Sequence, residues 1–550
     1  MIIDYASGSS PLDFDTDLCI FGAGPAGIAI ARAFLGTSVK VCLVESGGLD
    51  AEESSQALYE GTSSGLPPDY PASSRLRVFG GASNVWGGGC VPLSNLDLGR
   101  RPWIPHSGWP LSPDDIARYY AGAKSYCHID SHDFVDGSSR RRPIRKPVSF
   151  DSGQLVNKVF AYSTVRSGRT YRAELDGATN ITVVLRANLL CLEASPSASS
   201  VRVATIGSLH GRRGVVRARH YVLACGGMEN ARLLLMSRSV VPNGLGNEHD
   251  LVGRFFMDHP AGKLGTIFTD TPDLLTQRYD QSLDTRATPA FAEICLSDAC
   301  QMSRGLLNAR VRPVAVEGAV PTGLRAMREL RSALRTSACD EVSVEDRLFN
   351  SLRLTPSRTN HVKRSATSLG KLALQMGLGA GDIANACVRK LARKPTVKSS
   401  HIDLFGYFEQ SPNPDSRITL GRDVDALGQR RVHVDWRLTS LDWHTYRTAA
   451  EIFGAELARS CRGRFQMDPW LVAGDGAPPQ LRGTAHHMGT TRMSDSPREG
   501  VVDRRCRVHG VDNLHVAGSS VFPRGGWAFP TFSIVALSLR LADHLRSALL

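Results

Sequence analysis

The sequence predicts an α/β chain, α+β overall, and three observations carry that class. An apolar run enters a glycine turn and leaves as a helix at residues 17–34. Short strands succeed one another from about residue 153, and a second strand–diglycine–helix unit occurs at 221–235. In the first unit, Leu18 to Phe21 reads as a buried parallel strand, Gly22-x-Gly24-x-x-Gly27 as the turn, and Ile28 to Phe34 as helix. Gly22 permits the tight turn, Gly24 lets a pyrophosphate approach the backbone, and Gly27 lets helix and strand pack closely. Pro25 and Ala26 sit between them at a helix N-terminus whose free N–H groups and dipole favour phosphate. A second strand, Val39 to Val44, ends in Glu45, where a carboxylate should grip the ribose hydroxyls of an adenosine-type nucleotide, with Ser46 beside it.

The bulk properties narrow the field. A chain of 550 residues is too long for one compact core, so two or three domains are expected. At 42% hydrophobic and 21% charged it has an ordinary globular composition. The net charge of +12 comes without a dense Lys/Arg run, so no nucleic-acid partner is expected. Twelve cysteines include no CxxC pair, and Cys19, Cys42 and Cys225 lie in apolar strands, which argues against a metal site or a disulfide framework. Met1 to Tyr5 lacks a basic segment followed by an apolar core, and no run of 18 apolar residues occurs. A cytoplasmic protein with no transmembrane segment is expected.

Past Glu45 a polar passage leads to Arg77-Val-Phe-Gly-Gly-Ala-Ser-Asn-Val-Trp-Gly-Gly-Gly-Cys-Val-Pro92. Five glycines framing Trp86 read as an irregular loop that exposes backbone N–H groups to a flat ligand. With this loop the chain resembles the glucose-methanol-choline (GMC) family of FAD-dependent oxidoreductases, nearer its pyranose-oxidase and fructose-dehydrogenase branch. The resemblance implies FAD as the cofactor, with Gly80, Gly81, Ser83, Asn84, Trp86, Gly87 and Gly88 running beside the isoalloxazine. Some members attach FAD through a histidine just before this tryptophan. Val85 stands there, which implies non-covalent FAD.

Ser112 or Asp114 should open a capped helix, and Arg140 to Arg145 reads as a solvated basic loop. Residues 180–185, 189–193 and 201–206 form the meander, with a serine-rich hairpin loop at 195–200. Tyr221 to Leu235 returns the chain to the nucleotide fold, and Gly226, Gly227 and Asn230 match what the family carries there. His259, within Met-Asp-His-Pro, is read as structural. Leu324, Met327, Leu330 and Leu334 share a stripe flanked by Arg325, Arg328, Arg331 and Arg335, read as a helix packed on its own domain with a solvated basic face.

Gly483-Thr-Ala-His-His-Met-Gly-Thr490 carries the expected chemistry. The family motif His-x-x-Gly-Thr, counted back from Gly489-Thr490, places the base on His486, with His487 as a secondary candidate. An imidazole suits the role because its pKa lies near working pH. Gly518 and Ser519 should pass near the ribityl chain and pyrophosphate, and Pro530 and Thr531 open the final helix. The family sets an asparagine or histidine beside its base. Here Phe529 stands in that place, and it has neither donor nor acceptor. His487 or a residue of the substrate half then supplies the second contact, or a less demanding substrate is used, or the chain is a weak catalyst that binds FAD. Trp527 and Phe529 offer aromatic faces to a sugar or natural product; plain packing explains them equally well.

The expectation is therefore a Rossmann-like FAD-binding domain with a β-meander, from residues 1–100, 153–262 and 480–550. A sheet-and-helix substrate domain comes from 101–152 and 263–479, with a helical insertion at about 322–395. By resemblance, the reaction is oxidation of a CH–OH group, of a sugar, glycoside or aminocyclitol-type alcohol, with hydride passing to flavin N5. The electron acceptor, oxygen or a redox partner, is open. The rival readings are a different flavin-dependent dehydrogenation and an FAD-containing binding protein.

Overall fold

The computed structural model describes residues 1–8, 12–130, 134, 146–150, 152–279, 289–336, 369–391, 396–472, 481–527 and 529–550. The basic run at 140–145 and the side chains of Leu334 and Arg335 lie outside that description.

An eight-stranded sheet forms around strand Phe14–Phe21, whose last four residues are buried. It pairs in parallel with Val41–Val44 (Leu18 opposite Val41) on one side and with Arg213–Leu223 (Cys19 opposite Tyr221) on the other. Such continuous apolar strands suit a sheet covered on both faces. Arg213–Leu223 serves two sheet regions: its first half pairs antiparallel with Val201–Gly207, and its second half joins the parallel ladder. One strand thus welds the meander to the nucleotide unit. Gly22 takes φ +99°, and a Cβ there would meet the carbonyl of Ala224 at 2.6 Å. A Cβ on Gly27 would fall on the carbonyl of Gly22, so helix Pro25–Ala33 can lie against the turn only with glycine at both places. The C-terminal helix Thr531–Leu549 packs on this helix and buries Phe532, Val535, Leu541 and Leu545.

A seven-stranded antiparallel sheet holds Ala261–Phe268, Ala290–Leu296, Ala309–Glu317 and Ser399–Phe408. Gly89–Cys90 and Leu155–Tyr162 form its far edge, so the loop after Trp86 and the first strand past residue 153 lie in this sheet rather than in the nucleotide sheet. Helix Ser440–Ser460 covers its face. Thr439 and Asp442 close a capping box at its start, and Tyr446, Ala449, Ala450, Phe453 and Leu457 repeat at helical spacing toward the core. A small third sheet pairs Arg417–Val424, Arg430–Asp435 and Gly61–Ser64.

Ser112 caps helix Pro113–Ala117 through a capping box with Asp115, as its serine-proline start suggests. That helix and Tyr120–Tyr126 pack against the C-terminal helix, placing residues 109–127 on the nucleotide core because their apolar side chains (Trp109, Ile116, Tyr126) bury there. Helices Thr322–Thr336, Leu369–Leu378 and Ala380–Leu391 occupy the expected insertion. Among the described residues no helix is long and apolar enough to cross a membrane.

The two cores are locked by a buried ion network. Arg524, fully buried, donates through Nε to Glu409 Oε1 at 2.9 Å, with Nη2 on the same oxygen. Arg101 lies 3.5 Å from the other oxygen. Burial alone would raise the Glu409 pKa, but Arg524 and Arg101 hold it down to about 2. A carboxyl depressed in the fold adds stability that is present above its unfolded pKa and lost as pH falls through about 2. Arg524→Met leaves this buried carboxylate to Arg101 alone among the cations and should cost about 3 kcal/mol. Denaturant unfolding of the variant at neutral pH reads that loss, which should shrink toward pH 2.

Candidate active site

A cavity of about 500 Å³ runs between the two sheets. Gly22, Gly24, Pro25, Ala26, Glu45 and Ser46 line one end. Gly81, Ser83, Trp86, Gly87 and Gly88 line its middle with Gly226, Gly227, Gly518 and Ser519, while His486, His487, Phe529, Pro530 and Thr531 border the rest. Gly27, Gly80, Asn84 and Asn230 stand behind the wall. Gly80 takes φ +98°, Asn84 donates to the carbonyl of Phe79 at 2.9 Å, and Asn230 bonds Cys225 N, Ala517 O and Ser520 Oγ.

Several features of the cavity fit a dinucleotide. A Cβ on Gly24, Gly87, Gly226 or Gly518 would meet nothing within 4 Å, so bare backbone faces open space along its length. Glu45 is buried, and its two oxygens accept from Ala23 N and Gly47 N, each at 2.8 Å. It braces the glycine turn and keeps lone pairs for a hydroxyl. His487 Nε2 is buried without a partner.

Arg75 and Arg77 were not legible as site residues, yet both line the cavity. Their guanidinium carbons lie 3.9 and 4.0 Å from the centre of the Tyr59 ring. Both pair with Glu229, which Arg232 also holds at 2.8 Å. Burial favours the neutral acid, but the three arginines bring the Glu229 pKa down to about 2. The signal in the sequence was the Arg-x-Arg just before the second glycine loop.

At the other end the histidines divide. His487 packs its ring on Phe256 and Tyr70, and burial followed by Arg75 takes its pKa down to about 3. His486 instead meets His259 edge-on at 5.1 Å and Phe529 at 6.2 Å. Asp258 organises this region. Its Oδ1 accepts from the backbone N–H of His259 (2.7 Å), Thr484 (3.1 Å) and His486 (3.0 Å) and from the Thr484 hydroxyl (3.1 Å); its Oδ2 accepts from Tyr70. Ala485, at φ +60°, turns both amides of the loop onto one oxygen. Burial pushes the Asp258 carboxyl up, and every neighbour is a donor, which suits the ionised form.

Phe529 lies flat on Gly89, where a Cβ would strike its ring, and also touches Phe160. Beneath it lies Arg310, a third cavity residue that sequence reading missed. Arg310 sits in strand Ala309–Glu317 opposite Tyr407, its guanidinium 4.1 Å from the Tyr407 ring centre and 4.6 Å from that of Phe529. Nη1 pairs with buried Glu293; Nε and Nη2 bond no described residue, and Arg310 lines the cavity. A buried fork clamped between two rings and free along one edge is a preorganised donor pair.

Residues 412–538 match the family described as GMC oxidoreductase. That C-terminal stretch belongs to the family. Among curated relatives, 6'''-hydroxyparomomycin C oxidase of Streptomyces lividus is 24% identical over 96% of this chain and 92% of its own length. The fructose dehydrogenase large subunit of Gluconobacter japonicus is 26% identical, over 60% of this chain and 47% of that protein. Solved pyridoxine 4-oxidase from Mesorbium loti superposes with a TM-score of 0.53 at 15% identity, covering 97% of this chain and 99% of that one. Formate oxidase of Aspergillus oryzae, in a structure concerned with FAD modification, gives 0.55 over 98% and 99%. These neighbours share the FAD-binding fold with this chain.

Proposed function

We propose that this chain is a GMC oxidoreductase that binds FAD non-covalently in the glycine-lined cavity and oxidises a CH–OH group with His486 as base. The observation that carries the reading is His486 on the cavity wall, its ring hydrogen-bonded among the described residues only through Nδ1. When bound, FAD supplies the hydride acceptor. The glycine turns and helix Pro25–Ala33 take its pyrophosphate, and Glu45 takes ribose hydroxyls.

The protein's own work is proton handling and orientation. His486 Nε2 accepts the hydroxyl proton. Arg310 takes the part that Phe529 cannot play, donating from its free edge to the reacting oxygen as negative charge develops there. Phe529 and Tyr407 give that end aromatic faces, which suit the C–H face of a pyranose ring, whereas Trp527 is buried against Val91 and Cys295 as plain packing. The hydroxylated substrates in the relatives' names, fructose and an aminoglycoside, support a sugar-like alcohol. An anaerobic visible spectrum tests the reading. Bound flavin should bleach with sugars or glycosides; flavin that dithionite reduces but no alcohol bleaches would overturn alcohol oxidation while leaving FAD binding intact.

A further inference from the structure

We infer that His259 is a positioning residue, which fixes the proton of His486 on Nδ1 and so keeps the Nε2 lone pair free for the cavity. The inference rests on the proposed function only in giving that lone pair a use; the tautomer itself follows from hydrogen-bond accounting.

His259 Nε2 lies 3.1 Å from the carbonyl of Gly526, which can only accept, so Nε2 carries a hydrogen. A neutral imidazole has one N–H, which leaves His259 Nδ1 as an acceptor. Burial, then Arg310, brings the His259 pKa down to about 4, so the ring is neutral at working pH. His486 Nδ1 stands 2.9 Å from that acceptor and must donate to it. Thr484 agrees: its hydroxyl has Asp258 Oδ1 and the His259 carbonyl as acceptors at 3.1 Å each, so toward His486 Nδ1, 3.0 Å away, its oxygen accepts. Two acceptors on one nitrogen settle the tautomer. The chain is anchored at each end, by Arg524 holding the loop before Gly526 and by Asp258 holding both histidine backbones.

The same accounting explains why a neutral histidine is used. A carboxylate at this place would stabilise the imidazolium and raise the base's pKa. A neutral acceptor orients the ring without making it hold its proton.

The test is ¹⁵N NMR of FAD-bound protein labelled in histidine, with His486→Gln to assign the resonances. A pyrrole-type Nδ1 and pyridine-type Nε2 on His486 are expected. The reverse pattern overturns the inference, and this measurement on the parent protein needs no folded variant at 259. In His259→Leu the two forms should mix and kcat should fall about tenfold, the worth of one well-placed hydrogen bond, with little change in KM. His259→Asn, whose amide oxygen can accept from Nδ1, should recover most of that loss. Equal kcat in the leucine variant and the parent, or equal impairment in leucine and asparagine variants, overturns it. Because NMR reads the tautomer without turnover, a His486→Ala protein that stayed active would sink the base assignment and leave this result standing.

Discussion

Replacing His486 with alanine should lower kcat/KM by about 10²–10⁴, the range for removing a positioned general base. The flavin spectrum should survive. The glycine turn, Glu45 and the second glycine loop do not depend on residue 486 for their geometry, and the lost ring borders the cavity instead of filling a core. The loss should fall on kcat, since a proton acceptor works in the transition state more than in binding. The pH profile offers a second check. Burial first, then His259 and Arg310, push the His486 pKa well below the ordinary histidine value. The base is active when neutral, so activity should persist into mildly acid solution and fall only below the usual histidine range. A variant with parental kcat/KM would remove His486 from the mechanism.

Removing Arg310 should come next in size. Arg310→Met alone would strand buried Glu293, so the informative protein carries Arg310→Met with Glu293→Gln, compared with Glu293→Gln. Loss of a donor to the developing oxyanion should cost about 2–4 kcal/mol, on the order of 10²–10³ in kcat. If Arg310 does the work that Phe529 leaves undone, adding Phe529→Asn should restore part of the rate, because the amide would stand near both the guanidinium site and the base. The cation also sets selectivity. In the parent, a neutral or acidic sugar should react faster than an amino sugar with its ammonium beside the reacting carbon, and the gap should narrow in the double variant. Unchanged kcat together with unchanged selectivity would show that Arg310 only cements the sheet.

The nucleotide half was largely legible because its signal is local. Strand, turn and helix follow within 18 residues, and the glycines mark where side chains cannot fit. The proposed base stands out in the sequence for the same reason, since His486 sits four residues before Thr490 in one contiguous motif. Its support was not. Asp258, Tyr70 and Arg310 are ordinary polar residues within apolar neighbourhoods, and only the sheet topology brings them to residues 484–486. His259 reads as a structural histidine because nothing in Met-Asp-His-Pro shows that Gly526 and His486 will flank it. Phe529 was conspicuous as a missing function; the group beneath it was hidden inside a strand, where Arg310 looks like one more alternating polar residue.

The Asp258 hub also bears on how the molecule is made. Its donors come from Tyr70, 188 residues earlier, and from Thr484 and His486, 226 and 228 residues later. Loop-closure entropy stands against each of these contacts until the intervening sheets have formed, whereas the N-terminal strand, turn and helix are contiguous in sequence and meet their first partner strand at Val41–Val44. The first strand–turn–helix unit is thus cheaper in chain entropy than the setting of His486. The glycine turn is therefore expected to form ahead of the Asp258 hub, and pulsed hydrogen exchange during refolding should protect residues 18–31 before residues 484–486.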